Sequence, residues 1–122
     1  MIEIVKNIIS VLSKYKFDIQ NEKELQSEIG AALLENGIQW VREFYISPKS
    51  IIDFYHPTTH ENGIGIEIKI AGTAKSIYKQ CERYLQDDKI VALILVTSKT
   101  IGMPGTINNK PVHVVKLGKA WL

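Results

Sequence analysis

The run Ile90–Thr97, IVALILVT, consists of seven apolar residues and a closing threonine. A continuous apolar segment of strand length is typical of a β-strand that is buried on both faces. Such a strand needs a covering layer on each side of its sheet, and helices supply that layer in α/β folds. The run therefore predicts a sheet that is flanked by helices.

Hydrophobic periodicity predicts the remaining elements. It indicates helices over Ile2 to about Tyr15, from an N-cap at Asn21 to Asn36-Gly37, and over Ala74–Gln86. It indicates strands over Ile38–Ile46, Ile51–His56, Gly63–Ile70 and Pro111–Lys116, with a flexible loop over Gly102–Lys110. We expect an α/β fold with a mixed central sheet, in one domain of residues 1–122. Residues 1–20 would be an N-terminal helical extension, 21–99 the core, and 100–122 a loop and a C-terminal edge strand.

The composition excludes several classes of protein. The chain is 45% apolar and 23% charged, which is ordinary for a globular protein and excludes disordered and fibrous chains. No apolar run approaches the ~18 residues of a membrane span, and the N-terminus lacks the pattern of a signal peptide. The single cysteine, Cys81, excludes an internal disulfide and a cysteine-based zinc site. We therefore expect a cytoplasmic protein that has no contact with a membrane.

The charge distribution is uneven but not decisive. Residues 1–61 contain six Lys/Arg and nine Asp/Glu, whereas residues 62–122 contain nine Lys/Arg and four Asp/Glu. The net charge of +2 is only weakly basic, so charge alone indicates no nucleic-acid partner. The basic second half is compatible with a surface that faces phosphates, but on charge alone ordinary scatter of lysines is the better explanation.

The clearest strand pattern carries a carboxylate and an amine on one face. Isoleucines alternate with Gly65, Glu67 and Lys69, so the last two side chains lie on the same face, roughly 7 Å apart along the strand. Alternation in the preceding strand places Asp53 on the face opposite Ile52 and Phe54, and a hairpin would bring Asp53 beside Glu67. Two adjacent carboxylates are stabilised by a divalent cation between them. The pattern predicts metal-assisted hydrolysis of a phosphodiester, and its alternative is a solvent-exposed face of alternating charges.

These residues resemble the PD-(D/E)xK nuclease superfamily, which has the restriction-endonuclease-like fold. The resemblance covers Asn21 to about Lys99 and implies an αβββαβ core. The strand aspartate of the family falls on Asp53, its E-x-K motif on Glu67-Ile68-Lys69, and a Gln-x-x-x-Tyr-Leu string on Gln80–Leu85. The helix-borne acid falls on Glu22, with Glu28 as the second candidate, and the proline of the family name is replaced by Ile52.

The resemblance implies a nuclease that uses Mg²⁺ or Mn²⁺ and acts on DNA. Asp53, Glu67, Glu22 and the carbonyl of Ile68 would hold the metal, Lys69 would act on the attacking water, and Gln80 would orient the water or the substrate. We expect phosphate contacts from basic side chains near the site, namely Arg42, Lys75, Lys79, Arg83 and Lys99.

Two alternatives to the nuclease stay open, and so does the oligomeric state. A catalytically inactive module of the same fold would bind nucleic acid or a protein, and would need neither carboxylate nor the lysine. An α/β small-molecule binder is disfavoured because no glycine-rich phosphate loop follows a strand. A homodimer is compatible with the resemblance, and the N-terminal helix either packs on the core or forms that interface.

Overall fold

A computed structural model describes residues 2–117 of the chain, so residues 118–122 of the expected C-terminal segment lie outside the described part. It contains the helices α1 (Ile2–Lys14), α2 (Glu22–Glu35) and α3 (Ala74–Leu85). Its strands are β1 (Val41–Ser47), β2 (Ser50–Pro57), β3 (Gly63–Lys69), β4 (Ile90–Thr97), β5 (Thr106–Ile107) and β6 (Lys110–Lys116). Between residues 2 and 117, no helix is both long enough and apolar enough to cross a membrane.

Helices α2 and α3 begin at side chains that accept free backbone N–H groups. Asn21 is confirmed as the N-cap of α2, because its Oδ1 accepts a hydrogen bond from the Glu24 N–H at 3.0 Å. Thr73 and Ser76 form a capping box at α3. Helix α2 ends before Gly37, whose φ of +77° suits glycine. The local sequence thus determines where each of these elements starts or stops.

The six strands form one mixed sheet in the order β1-β2-β3-β4-β6-β5. Strands β1, β2 and β3 pair antiparallel, whereas β4 pairs parallel with both β3 and β6. Helix α3 connects the parallel pair β3 and β4. The predicted α/β class and the mixed central sheet are confirmed, with β4 in the interior of the sheet.

The edge position that we predicted for the C-terminal strand is wrong at its start. Strand β5 pairs antiparallel with Lys110 and Pro111 of β6, so a further strand lies outside β6 there. The segment was expected to be a loop because it is rich in glycine, proline and asparagine. Asn108 and Asn109 both have positive φ, 54° and 62°, which is the geometry of a type I′ hairpin turn.

Two apolar layers cover the two faces of the sheet. The layer against α1 and α2 contains the β3 isoleucines and every second residue of β4, namely Ile64, Ile66, Ile68, Ala92, Ile94 and Val96. The layer against α3 contains Leu93 and Leu95 of β4 together with Ile77, Cys81 and Leu85 of the helix. Strand β4 is therefore buried on both faces, as its sequence predicts. The N-terminal helix packs on the core through Val5, Ile8, Val11 and Leu12.

Strand β2 does not keep a regular alternation around Asp53. Phe54 packs in the layer against α1 and α2, whereas Ile52 packs in the layer against α3. The expectation that these two residues share a face is therefore wrong. Strands β2 and β3 pair from Pro57 opposite Gly63 to Phe54 opposite Ile66. The next position along the two strands holds Asp53 and Glu67.

The neighbouring strand β1 changes face at the same level. Arg42 pairs with Phe54 and Phe44 pairs with Ile52, and the residue between them, Glu43, has a φ of +53°. A left-handed conformation at a non-glycine residue is uncommon and costs about 1 kcal/mol or more. The side chains of both strands thus switch faces together, next to the carboxylate pair.

Candidate active site

A cleft of about 590 Å³ opens where β2 and β3 diverge. Because the strands separate there, side chains from both faces of the sheet reach it. Its lining residues come from α2, β1, β2, β3 and α3, namely Lys23, Gln26, Ser27, Arg42, Glu43, Ile51, Asp53, Glu67, Lys69 and Gln80. The cleft therefore contains the predicted residues Asp53, Glu67, Lys69 and Gln80.

Asp53 and Glu67 exchange hydrogen bonds across the two diverging strands. Oδ2 of Asp53 accepts from the backbone N–H of Ile68 at 2.8 Å, and Oε1 of Glu67 accepts from the backbone N–H of Asp53 at 3.2 Å. Each carboxylate accepts a backbone N–H of the other strand, beyond the last paired position of the two strands. The two carboxylates are thus held side by side by the backbone itself.

Burial makes this carboxylate pair unfavourable in its fully ionised state. The side chain of Glu67 is only 3% exposed. Burial raises the pKa of Glu67 to about 8, and the negative charge of Asp53 adds to the rise. The pKa of Asp53 is also raised, mainly by burial, although the hydrogen bond from the Ile68 N–H lowers it. The pair needs either a proton or a cation at neutral pH.

Among residues 2–117, Lys69 is the only cation within 4.0 Å of either carboxylate. Its Nζ lies 3.9 Å from Oε2 of Glu67, and its side chain is 28% exposed. Its positive charge lowers the pKa of both carboxyl groups, but less than burial raises them. Lys69 therefore faces both the carboxylates and the solvent-filled cleft.

Gln80 reaches the site through a residue that the sequence analysis did not assign to it. Nε2 of Gln80 donates to the hydroxyl of Tyr84 at 2.9 Å. That hydroxyl lies 2.9 Å from the carbonyl oxygen of Ile51 and 3.1 Å from Oε2 of Glu67, and it can donate to either acceptor. The spacing of four residues was a signal for the contact between Gln80 and Tyr84, since such side chains are neighbours on a helix.

Gln26 is a second residue that sequence reasoning missed. It lies one turn of α2 after Glu22, and its Nε2 donates to Oδ1 of Asp53 at 3.2 Å. Its Oε1 accepts from Nη2 of Arg42 at 2.7 Å. Nothing in the local sequence distinguishes this glutamine from a solvent-exposed one.

Glu22 lies near the carboxylate pair without joining it. Its Oε1 accepts from the backbone N–H of Ile70 at 3.4 Å, and its charge contributes to the raised pKa of Asp53. Glu28 is exposed and lines a separate depression with Asp18 and neighbouring α2 residues. These positions favour Glu22 over Glu28 as the helix-borne acid. Across residues 2–117, no three His, Cys, Asp or Glu side chains are grouped so as to hold a metal ion.

The predicted phosphate contacts separate into two sets. Arg42 lines the cleft, next to Asp53. The other four lie outside the cleft lining: Lys75, Lys79 and Arg83 are exposed on α3, and Lys99 follows β4. Their contacts with DNA stay predictions, as does the metal contact of the Ile68 carbonyl.

Comparisons of the chain with family models, with curated proteins and with solved structures found no match. The residues of the cleft therefore carry the assignment of its chemistry. Asp53 and Glu67 offer hard oxygen donors, and a cation beside them would stabilise their ionised forms. This donor set fits Mg²⁺ or Mn²⁺. They offer no sulfur or imidazole donor of the kind that Zn²⁺ prefers.

Proposed function

We propose that this chain is a divalent-metal-dependent nuclease of the PD-(D/E)xK superfamily, which hydrolyses phosphodiester bonds in DNA. The observation that carries the proposal is the pair Asp53 and Glu67, two carboxylates held together by backbone hydrogen bonds beside Lys69. Placing two carboxylates in a buried position is costly unless a cation offsets their charge. A purely structural site would not need both of them.

Asp53 and Glu67 would hold the metal, with Glu22 and the Ile68 carbonyl as the further candidates. A bound Mg²⁺ or Mn²⁺ supplies Lewis-acid polarisation of a phosphate and lowers the pKa of a water molecule. The protein residues supply orientation: Gln26 fixes one oxygen of Asp53, and Tyr84 lies against one oxygen of Glu67.

Lys69 has the geometry of a group that acts on the attacking water or on the charged phosphate. Its ammonium lies 3.9 Å from Oε2 of Glu67 and lines the cleft, where it could donate a hydrogen bond to a bound water or phosphate. Hydrogen bonds from a fixed cation to a developing negative charge are a large source of rate enhancement. We expect the loss of Lys69 to lower cleavage while the protein still folds.

A cleavage panel tests the proposal. Linear, circular, single-stranded and four-way-junction DNA are incubated with the protein and Mg²⁺ or Mn²⁺. We expect cleavage that Lys69→Ala lowers by about 10²-fold or more and that Asp53→Ala abolishes. Lys6→Ala, which removes an exposed lysine of α1, is the matched control and should cleave normally. Intact DNA in every arm with Mn²⁺ would refute the proposal.

A non-catalytic binding module of the same fold is the second candidate. It is favoured by one observation: both oxygens of Glu67 already have partners within the protein, the N–H of Asp53 and the hydroxyl of Tyr84. A calorimetric titration with Mn²⁺ separates the two candidates. Heat of binding that is lost in Glu67→Ala supports the nuclease, and no heat of binding supports the module.

A further inference from the structure

Within the described residues, Arg42 is a partly buried cation without a negatively charged partner. Among residues 2–117, no carboxylate lies within 4.0 Å of its guanidinium group. Two other contacts hold the guanidinium group. Its Cζ lies 5.5 Å from the centroid of the Phe54 ring, and its Nη2 donates a hydrogen bond to Oε1 of Gln26. Its Nε is buried and has no hydrogen-bond partner in the described part of the chain. A fixed guanidinium without a counter-charge is suited to bind an anion.

Gln26 lies between Arg42 and Asp53 in place of a direct ion pair. Its neutral amide lies between them, with the oxygen toward Arg42 at 2.7 Å and the nitrogen toward Asp53 at 3.2 Å. A direct ion pair would neutralise both charges. The amide connects them while Arg42 stays available to an anion and Asp53 to a cation. This arrangement matches a phosphodiester substrate with a metal beside it.

An exposed aromatic residue lies on the same strand as Arg42, beside the lining of the cleft. Tyr45 is 63% exposed and pairs across the strands with Ile51, which is 41% exposed and lines the cleft. Phe44 and Ile46 on either side of Tyr45 pack in the layer against α3, so Tyr45 points to the opposite face. That is the face on which Arg42 contacts Phe54.

The left-handed residue Glu43 explains why Arg42 and Tyr45 share a face. Residues three apart in a regular strand point to opposite faces. The φ of +53° at Glu43 interrupts the alternation between them. The two side chains therefore lie on one face of the sheet, and their Cα atoms are at most about 10 Å apart along the strand. A cation and an aromatic ring in that relation can bind the phosphate and the base of neighbouring nucleotides.

We propose that the cleft binds a single strand of DNA, with Arg42 on a phosphate and Tyr45 stacked on a base. This inference rests on the proposed nuclease function and narrows its substrate to unpaired DNA. In a duplex the faces of the bases are stacked on one another, so a side-chain ring cannot cover them. The exposed ring of Tyr45 therefore distinguishes an unpaired strand from a duplex.

Binding is measured by fluorescence anisotropy in EDTA, with a labelled oligothymidylate of about 12 nucleotides and its duplex with oligoadenylate. We expect the single strand to bind more tightly. Arg42→Ala should weaken that binding and reduce the slope of log K against log salt by about 0.7, the loss of one phosphate contact. Gln26→Glu should have the same effect with Arg42 still present, because the new carboxylate would pair with the guanidinium.

Tyr45→Ala tests the stacking contact. It should weaken single-strand binding about 5- to 150-fold without changing the salt slope, whereas Tyr45→Phe should bind like the wild type. Lys6→Ala and Leu34→Ala remove an exposed lysine and an exposed leucine away from the cleft, and they should bind normally. The inference is refuted if Tyr45→Ala binds the single strand normally, or if it weakens duplex binding equally.

Two outcomes separate this inference from the nuclease proposal. Single-strand binding that depends on Arg42 and Tyr45, without cleavage of any DNA, would support the inference and contradict the nuclease. Cleavage that depends on Lys69, with binding unaffected by Arg42→Ala and Tyr45→Ala, would do the reverse. A dimer in light scattering that Tyr45→Ala converts to a monomer, with unchanged DNA binding, would assign the surface to self-association and overturn the inference.

Discussion

Glu67→Gln should make the metal-free protein more stable at alkaline pH. The side chain is buried, and its Oε1 accepts from the N–H of Asp53, a contact that an amide oxygen preserves. The hydroxyl of Tyr84 lies 3.1 Å from Oε2 of Glu67 and 2.9 Å from the Ile51 carbonyl, and it has one proton. A protonated Glu67 donates to that hydroxyl, which then donates to Ile51. The NH₂ group of glutamine reproduces this donation without an ionisable proton.

The sign of the effect follows from the raised pKa. Glu67 titrates near its ordinary value of 4.5 in the unfolded chain and at about 8 in the folded protein. Between these values the folded state retains a proton that the unfolded state has released, so stability is lost as the pH rises from about 4.5 to about 8. At about 1.4 kcal/mol per pKa unit, the loss is on the order of 3–5 kcal/mol. Glutamine does not suffer this loss.

Urea unfolding in EDTA, from about pH 5 to about pH 9, measures the effect. Wild type and Glu67→Gln should be similar at the acidic end, and the variant should be more stable by several kcal/mol at the alkaline end. Glu61→Gln, at an exposed glutamate of the β2–β3 turn, is the control and should follow the wild type. Mn²⁺ should stabilise the wild type at alkaline pH but not Glu67→Gln. A variant that is no more stable than the wild type above pH 8 would refute the electrostatic reasoning.

Three other predictions concern packing and reactivity. Tyr84→Phe removes the hydroxyl beside Glu67 and should lower the free energy of unfolding by about 1–3 kcal/mol, measured by urea unfolding; an unchanged stability would contradict that role. Ile66→Ala empties a fully buried position and should cost about 2–5 kcal/mol, whereas Ile2→Ala, at a residue that is 66% exposed, should cost less than about 0.5 kcal/mol. Burial raises the pKa of the Cys81 thiol to about 12, so iodoacetamide should label it only as fast as the protein unfolds; faster labelling of the folded protein would contradict its burial.

Much of the fold was predictable because its signals are local. The apolar run of β4 and the alternating isoleucines of β3 predict their strands from side-chain period alone. Asn21 and Gly37 predict the ends of α2, since capping depends on residues a few positions apart. The hairpin that contains β5 was not predicted, because a turn rich in asparagine looks like a loop until its strands pair.

The candidate site was predictable only in part. Asp53, Glu67 and Lys69 were expected to be close because hairpin pairing and strand period are simple geometric rules. Gln26 and Tyr84 were missed as members of the site. Each lies on a helix, and its distance from the carboxylates depends on how that helix packs on the sheet. No sequence spacing contains that information.

The sequence by itself determined the α/β class, the positions of the helices and main strands, and the residues that could form a carboxylate pair with a lysine. These properties follow from periodicity and capping, which act over a few residues. The tertiary structure decided that β1 and β2 change face together at Glu43 and Asp53, and that β2 and β3 diverge there. The cleft opens at that divergence, and the tertiary packing leaves Glu67 buried among its lining residues, which raises the pKa of Glu67. Burial and the separation of strands depend on contacts between distant parts of the chain, so only the folded structure decides them.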